Sequence, residues 1–510
     1  MLDAYNHFST KLEHTLAPDQ SSATFRVLDP ACGSGNFLAA VARRLVAYGK
    51  QAHFSQEQLS TWLQQSLWGF DPDPVACLLA EMQVRTILAE HDLSPAFLHV
   101  HQADGLAFPW HEQQECVDLF LANPPYLASK NNDLSLYQSA GGRGQVDSYL
   151  LFLDLALRVV RPEGWVGMVL PDALLARANA TRERRLLLHE TTIHALWHLS
   201  GVFPAYVGAV VLIAQKKAPS PLHVVEWKRE KWYKNPKRRT SIKTTNTSVS
   251  QALLQAQEHS ELRYLLGTNS QSLLARLYEA MRSRDTVSNQ TPLKPLGTFV
   301  TLKRGEELGK GSELVAGNMP VQTYLPLLRG GVDVQPYRTP YANYWLARTS
   351  ITKPLARYLA PKLLVVKSTG QLQATLDTHG HVVLQTLYLL SVRQKRAKTI
   401  ETVHNEQDEQ DLDLLYYLLA LLNSDLLRNY VYVLYTAYKL VQPQIEQHVL
   451  ASLPIPSLST LYYTEIVQQA KAMMDACDAC DNVIEWKQKK IPLHADLERA
   501  ILAMYQHALS

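Results

Sequence analysis

Val27-Leu28-Asp29-Pro30-Ala31-Cys32-Gly33-Ser34-Gly35-Asn36-Phe37-Leu38 is the stretch that decides the fold. Apolar residues lead into an acid, a tight Gly-x-Gly turn follows, and a helix-forming run begins at Asn36. That order opens a doubly wound α/β unit, and small residues in the turn let a ligand lie against the backbone above the strand ends. The turn contains neither GxGxxG nor GxxxxGK[ST], so it departs from the dinucleotide and phosphate loops. An acid at Asp29 repels a pyrophosphate but suits a ligand that carries an ammonium group.

Working outward, the apolar strand-like pieces are Phe25–Leu28, Leu67–Phe70, Leu98–His101, Val117–Ala122, Trp165–Leu170 and Ala209–Ala214, with a final turn carrying Leu222–Trp227. Amphipathic stretches at Asn36–Ala47, Pro74–Glu90 and Ser148–Val160 fall between several of them. Strands separated by such helices predict a doubly wound, Rossmann-like α/β sheet. Two more acids stand where successive strands end. Asp71, followed by Pro72, can take both hydroxyls of a ribose through its two oxygens. Asp104, followed by Gly105, can accept from an adenine amino group. Acids at three consecutive strand ends suit S-adenosylmethionine, which has a cation, a ribose and an adenine but no phosphate.

Asn123-Pro124-Pro125-Tyr126 follows the strand Val117–Ala122 directly. An exocyclic amino group on adenine is a poor nucleophile because its lone pair is delocalised into the ring. Acceptors aimed at its two hydrogens favour the pyramidal nitrogen that attacks a methyl group. The Asn123 side-chain oxygen offers one acceptor and the Pro124 carbonyl the other. The prolines fix an extended backbone, so the acceptors are set before substrate arrives. Tyr126 offers a ring face on which a planar base can stack.

The loop Asp29–Leu38 followed by Asn123-Pro124-Pro125-Tyr126 resembles the amino-methyltransferases that use S-adenosylmethionine. The order of cofactor loop, tetrad and long C-terminal region is similar to that of the gamma class (TaqI-like) of DNA adenine-N6 methyltransferases of restriction-modification type, and the resemblance covers nearly the whole chain. It implies a sequence-specific enzyme acting in restriction-modification or phage defence. Its cofactor, S-adenosylmethionine, would lie against Asp29, Pro30, Ala31, Gly33, Gly35, Asp71, Pro72, Asp104 and Gly105. Asn123, Pro124, Pro125 and Tyr126 would be catalytic, with no metal required. Phe203, in Gly201-Val202-Phe203-Pro204, stands where the family places an aromatic residue against the flipped base, opposite Tyr126. A base inside a duplex is out of reach of the donor, so the reaction requires extrusion, at a cost of a few kcal/mol. Gly141-Gly142-Arg143-Gly144 reads either as a loop closing beside that base or as a plain surface loop.

The second half resembles the same family's target-recognition domain in LGTFVTLKRGEELGKGS, YLPLLRGGVDVQPY, Lys362–Gly370, Leu418–Leu427 and Lys439–Pro456. By that resemblance Lys303, Arg304, Arg329 and Lys367 face double-stranded DNA, where phosphate contacts position the duplex and base edges specify it. The implied layout is a methyltransferase domain over 1–245, a linker or helical segment over 246–290, a mixed α+β target-recognition domain over 291–456 and C-terminal helices over 457–510. The basic run Lys228–Thr240 and the Ser/Thr/Asn/Gln-rich passage after it, through about Gln257, read as a linker or exposed loop. The family's Thr-Pro start is not found among the 28 residues before Asp29. Either Tyr5–Leu16 or another chain is then expected to cover the methionine end of the cofactor.

Other motifs carry less. Cys477-Asp478-Ala479-Cys480 is an isolated CxxC that reads as a helical face rather than a zinc site. Glu226-Trp227-Lys228 reads as a strand end rather than a nuclease ExK. Hydrophobic residues at 46% and charged residues at 19% give ordinary cores and exclude a disordered chain. Lys plus Arg at 50 against Asp plus Glu at 47 leaves +3, which excludes a wholly basic protein and permits a local basic face. Five cysteines argue for a reducing compartment. There is no apolar run of ~18 residues and no secretory order at the N-terminus, so a soluble cytoplasmic chain without a membrane partner is expected. Restriction or defence-system subunits are candidate partners. Two other readings stay open: an amino-methyltransferase acting on RNA or protein glutamine, and a DNA-binding subunit active only in a complex.

Overall fold

A computed structural model of the chain describes residues 25–510 apart from 94–96, 110–114, 128–133, 135–136, 138–145, 201–207, 235–238, 268–272, 283–291, 310, 318–322, 394–403, 439–442, 459–460 and 481–482. The chain divides into two compact units, Met1–Thr268 and Asn269–Ser510.

Among the described residues of the first unit, nine strands form one sheet. They are β1 (Val27–Asp29), β2 (Leu67–Asp71), β3 (His99–Gln102), β4 (Val117–Ala122), β5 (Val160–Pro171), β6 (Thr192–Ser200), β7 (Ala209–Gln215), β8 (Val224–Lys234) and β9 (Arg239–Ser250). Their order is β3-β2-β1-β4-β5-β7-β6-β8-β9. The first five in that order are mutually parallel. β7 runs antiparallel to both its neighbours, β6 and β8 are parallel, and β9 is antiparallel to β8. The winding reverses between β1 and β4, the place where open α/β sheets hold their ligands.

Helices cover both faces, and this is why the central strands are apolar without alternation. All six residues of β4 are buried. α1 (Asn36–Gln51) buries Leu38, Val41, Ala42 and Leu45 at helical spacing. α2 (Gln56–Ser66) starts in a capping box, Ser55 with Gln58. α3 (Pro74–Ala89) starts with proline, and its Val75 amide donates to Asp73 Oδ1 at 2.9 Å. α4 (Ser148–Val159) is buried on nearly every side, and α5 (Thr181–Glu190) packs beside it.

Two readings of the sequence change here. The stretch expected to be a linker from Lys228 instead forms much of a long hairpin, paired from Val224 with Ser250 to Lys234 with Arg239. An edge pair needs backbone pairing and one buried face rather than apolar content throughout, and Val225, Trp227 and Val249 supply that face. Glu226-Trp227-Lys228 consequently lies inside β8, not at a strand end.

The second unit contains three small sheets among its described residues. β10 (Leu293–Pro295) is followed by β11 (Val300–Arg304), β12 (Val315–Ala316), β13 (Tyr324–Leu328), β14 (Tyr344–Ala347), β15 (Lys362–Val366), β16 (Ala374–Asp377), β17 (Val382–Val383), β18 (Leu387–Val392) and β19 (Pro454–Pro456). The sheets are β10-β19, β11-β18-β15-β16 and β12-β14-β13-β17. The unit's longer helices are α6 (Leu273–Arg282), α7 (His404–Asn423), α8 (Asp425–Val431), α9 (Tyr463–Asp478) and α10 (Val483–Ala508). α7 packs over β15, β16 and β18, and α9 packs on α7 and α10. Cys477 lies in the last turn of α9 and Cys480 just past its end; both are buried and neither is in a disulfide.

Candidate active site

One side of the candidate site is built on the ends of β1, β2 and β3. Asp29 closes β1 fully buried, with Oδ1 accepting from the Ala31 amide at 3.2 Å. Burial pushes its carboxyl up to about 7, and Asp71 adds to this, against the lowering effect of the Ala31 amide. Asp71 ties the glycine turn to β2: its Oδ2 accepts from the Gly33 amide at 3.0 Å and its Oδ1 from the Asp73 amide at 2.9 Å.

The turn depends on its glycines. Gly33 and Gly35 both have positive φ, at 53° and 85°. A Cβ on Gly35 would stand 2.7 Å from Ala80 Cα of α3, whereas one on Gly33 would meet nothing within 4 Å. Gly35 is thus a packing point, and open space lies above Gly33. Gly105 brings the third strand end against the first, since a Cβ there would sit 2.1 Å from the Pro30 carbonyl oxygen. Asp104 accepts from the Leu106 amide at 2.9 Å and from the Tyr137 hydroxyl at 2.5 Å. Each carboxylate oxygen retains further lone-pair capacity for a ligand.

The other side of the candidate site stands next door. β4 pairs with β1 in register, Leu28 beside Phe120, so the tetrad leaves the sheet beside the glycine turn. Asn123 and Pro125 are exposed, Pro124 is buried and Tyr126 is half-buried. The Tyr126 hydroxyl donates to the Val169 carbonyl of β5 at 3.2 Å. Burial, then the charge of Asp172, pushes that phenol above its ordinary range. Ser148, the first residue of α4, donates through its hydroxyl to the Pro125 carbonyl and accepts from the Leu127 amide at 3.0 Å. The Phe203 and Gly141–Gly144 assignments, and the Tyr5–Leu16 cover, lie outside the described residues.

Sequence reading did not single out Ser148, Tyr137, Asp172 or His198. Asp172 follows β5, and its amide donates to the Gly208 carbonyl at 3.0 Å. A Cβ on Gly208 would collide with the Asp172 carboxylate, so the acid lies flat on that backbone. His198 of β6, fully buried, has Nε2 3.7 Å from Asp172 Oδ2 and Nδ1 3.2 Å from the Tyr264 hydroxyl. Burial holds its imidazole below the usual range, against the pull of Asp172. Only a helix start at Asp147-Ser148 was visible beforehand; the other pairs join distant segments.

In the second unit, Lys303 and Arg304 are exposed on β11, and Arg329 and Lys367 are half-buried. Three of these positions converge on the start of β18. Arg304 pairs with Tyr388, Thr386 donates through its hydroxyl to the Arg329 carbonyl at 2.6 Å, and the Lys367 amide donates to the Thr386 carbonyl at 3.0 Å. The Arg329 guanidinium lies 3.2 Å over the Tyr344 ring. Beside them Glu306 is buried and accepts from the Thr352 and Tyr358 hydroxyls at 2.5 and 2.7 Å. Burial alone would raise its carboxyl, but these bonds hold it below the usual range. Among the described residues, Asp425, His494 and Glu498 bring three potential metal ligands within 4.8 Å of one another. The Asp425 amide donates to Glu498 Oε1 at 2.9 Å, which accounts for that proximity without an ion.

Comparison with known proteins adds the lineage. Residues 325–455 match the TaqI-like C-terminal specificity domain. Over 184 residues the chain is 27% identical to the Type I restriction enzyme EcoEI methylase subunit of Escherichia coli, covering 36% of each protein. It is 24% identical to the Type II methyltransferase M.VspI of Vibrio sp. (strain 343) over 41% of this chain and 46% of that one. The chain thus spans well under two thirds of the curated relatives it matches. Its fold is similar to that of the Type IIL restriction-modification enzyme MmeI, with a TM-score of 0.60 at 12% identity over 99% of this chain and 72% of that one. It is also similar to the Type ISP restriction-modification enzyme LlaBIII, with a TM-score of 0.54 at 11% identity over 93% of this chain and 38% of that one. The model of the N-6 DNA Methylase family matches residues 8–279, more than half of the sequence, and the chain belongs to that family.

Proposed function

We propose that the chain is a sequence-specific DNA methyltransferase that transfers a methyl group from S-adenosylmethionine to adenine N6 of a flipped-out base, in restriction-modification or phage defence. The observation that carries this reading is the placement of Asn123 and Asp29 at the ends of paired parallel strands flanking the switch point. The residues present suit the cofactor: Asp29 is a buried acid with no ion-pair partner among the described residues, and open space lies above Gly33.

S-adenosylmethionine, when bound, supplies an electrophilic methyl group on a sulfonium centre. Asp29 takes the ammonium group, Asp71 the ribose hydroxyls and Asp104 the adenine amino group, with Pro30, Ala31, Gly35, Pro72 and Gly105 shaping the loops. Asn123 Oδ1 and the Pro124 carbonyl accept from the two amino hydrogens of the target base and hold its nitrogen lone pair toward the donor loop. Preset acceptors of this kind favour the transition state without reorganising during the reaction. Pro125 fixes the turn, and Tyr126 with Phe203 holds the base between two rings. In this reading 1–245 is the catalytic domain, 246–290 a connecting segment, 291–456 the recognition domain and 457–510 a helical cap. Lys303, Arg304, Arg329 and Lys367 face the duplex.

The test is transfer of tritiated methyl from S-adenosylmethionine to unmethylated bacterial double-stranded DNA, followed by nucleoside analysis. N6-methyladenine is expected. Label appearing only in RNA or protein offered in parallel, or in no acceptor, would defeat the proposal.

A further inference from the structure

The far end of the β8–β9 hairpin has no part in the chemistry of methyl transfer, yet it concentrates charge. Between Lys231 and Lys243 the sequence holds six cations, Lys231, Lys234, Lys237, Arg238, Arg239 and Lys243, and no acid. The net charge of the whole chain is +3, so this one segment more than accounts for the positive excess. Nearer the body of the sheet the charge is balanced: Lys228 Nζ lies 2.7 Å from Glu230 Oε1 and 4.8 Å from the centre of the Trp197 ring. Further out, the register sets like charges opposite each other, Lys231 with Lys243 and Lys234 with Arg239. Directly opposed like charges weaken a hairpin. Cations on an edge strand deter pairing with other sheets, but cations on β9 alone would serve that end, and Lys231 and Lys234 stand on β8.

The hairpin leaves the sheet by the edge that carries the candidate site. β4 and β5 are parallel, β7 is antiparallel to both β5 and β6, and β8 is parallel to β6, so β4 and β8 point the same way. Lys231 is opposite Ser200, the last residue of β6, and β8 continues beyond it to Lys234. Four strand spacings separate β8 from β4 in the sheet order, about 19 Å at ~4.8 Å each. We propose that Lys231, Lys234, Arg239 and Lys243 make this hairpin a grip on the phosphate backbone of the duplex, several base pairs away from the flipped base. The inference rests on the function proposed above. Phosphates recur every ~3.4 Å along a strand, so about 19 Å corresponds to five or six of them. A run of cations without an acid matches such an array, and the phosphates relieve the repulsion within each facing pair. The grip holds the duplex in place and carries no sequence information.

The experiment is fluorescence anisotropy of a labelled, unmethylated duplex of mixed sequence, roughly 40 base pairs long, titrated with the full chain from about 50 to 300 mM salt. Lys234→Gln with Arg239→Gln should reduce the slope of log affinity against log salt by about two and weaken binding at least about tenfold near 150 mM. Lys50 in the last turn of α1 and Lys217 just past β7 lie toward the opposite edge of the sheet. Lys50→Gln with Lys217→Gln removes the same charge and should leave the slope within about half a unit of wild type. Lys234→Glu sets an acid opposite Arg239, so it should keep or raise the melting temperature while lowering the slope by about one. That variant separates phosphate contact from hairpin stability. Slopes unchanged in both hairpin variants overturn the proposal, as does an equal fall in the Lys50 and Lys217 control. A fall seen with single-stranded RNA of the same length but not with the duplex also overturns it. A wild-type chain that methylates DNA while the hairpin variants keep its slope defeats this proposal alone and leaves the proposed function standing.

Discussion

Ser148 and Leu127 hold each other twice: the Leu127 amide donates to Ser148 Oγ at 3.0 Å, and the Ser148 amide donates to the Leu127 carbonyl at 3.0 Å. Through its third bond, to the Pro125 carbonyl, the same serine fixes the exit of the tetrad from the start of α4. Ser148→Ala removes both hydroxyl bonds at a cost of about 1–3 kcal/mol. Methyl-transfer kcat should fall on the order of 10- to 100-fold through misplaced acceptors, with cofactor affinity within about twofold of wild type. Ser148→Thr should recover most of the rate. An unchanged kcat in Ser148→Ala would show that the clamp has no bearing on the chemistry.

Asn123 is exposed at the end of β4, so its loss should leave the fold intact, with a stability change within about 0.5 kcal/mol. Asn123→Ala should lower methyl transfer about a thousandfold, the scale of losing a preset polar contact to the transition state. Calorimetry should find cofactor binding preserved. Transfer within tenfold of wild type would remove Asn123 from the reaction.

Gly105 has no room for a side chain, because a Cβ would stand 2.1 Å from the backbone oxygen of Pro30. Gly105→Ala must therefore push two strand-end loops apart, costing about 1–3 kcal/mol as overpacking does. Cofactor affinity should drop at least about tenfold, measured by calorimetry beside thermal melting. Gly33→Ala meets no neighbour and is strained only by its φ of 53°, so it should be the milder of the two.

If Asp29 takes the ammonium group as proposed, cofactor binding should depend on pH. Its folded-state pKa of about 7 lies above the ordinary value, so between about 4 and 7 the folded chain keeps a proton that the unfolded chain has lost. Unfolding free energy of the free chain therefore declines as pH rises through that window, and Asp29→Asn should flatten the decline. An ammonium ligand favours the ionised carboxylate, so binding S-adenosylmethionine near pH 6.5 should release a proton and weaken as pH falls. Calorimetry in buffers of different ionisation enthalpy counts that proton; no release in wild type, or the same release in Asp29→Asn, would contradict the assignment.

The second unit contains a buried ion pair, Lys362 Nζ to Asp377 Oδ2 at 2.6 Å, with His381 Nδ1 at 2.9 Å from Asp377 Oδ1. Burial works against the charge on Asp377, yet His381 and Lys362 hold its carboxyl down at about 2. Lys362→Met leaves that acid without its principal cation and should cost about 3–5 kcal/mol, while Lys362→Met combined with Asp377→Leu should cost less than the single change. Chemical denaturation followed by far-UV circular dichroism measures both.

The strands that carry the candidate site were legible because β1 and β4 are covered on both faces and read as apolar runs, the first closed by Asp29 and the second followed by Asn123. β6 escaped notice because Thr192-Ile193-His194-Ala195-Leu196-Trp197-His198 mixes polar and apolar residues, although its neighbours β7 and β8 bury it. The β8–β9 hairpin escaped because Thr, Ser, Asn and Lys in succession look like loop, and only pairing across the turn makes them strand. Tyr137 bonds Asp104 across a separation of 33 residues, and Asp172 meets His198 only once the strands order as β5-β7-β6. Such contacts arise from topology, and no local spacing encodes them.

The pairing of β1 with β4 has a consequence for how such genes can be rearranged. The juxtaposition needs two neighbouring strands pointing the same way, and it is indifferent to which of them the ribosome makes first. A reading frame in which the two coding segments had traded places, with the crossovers respliced to suit, would set Asp29 and Asn123 side by side in the same way.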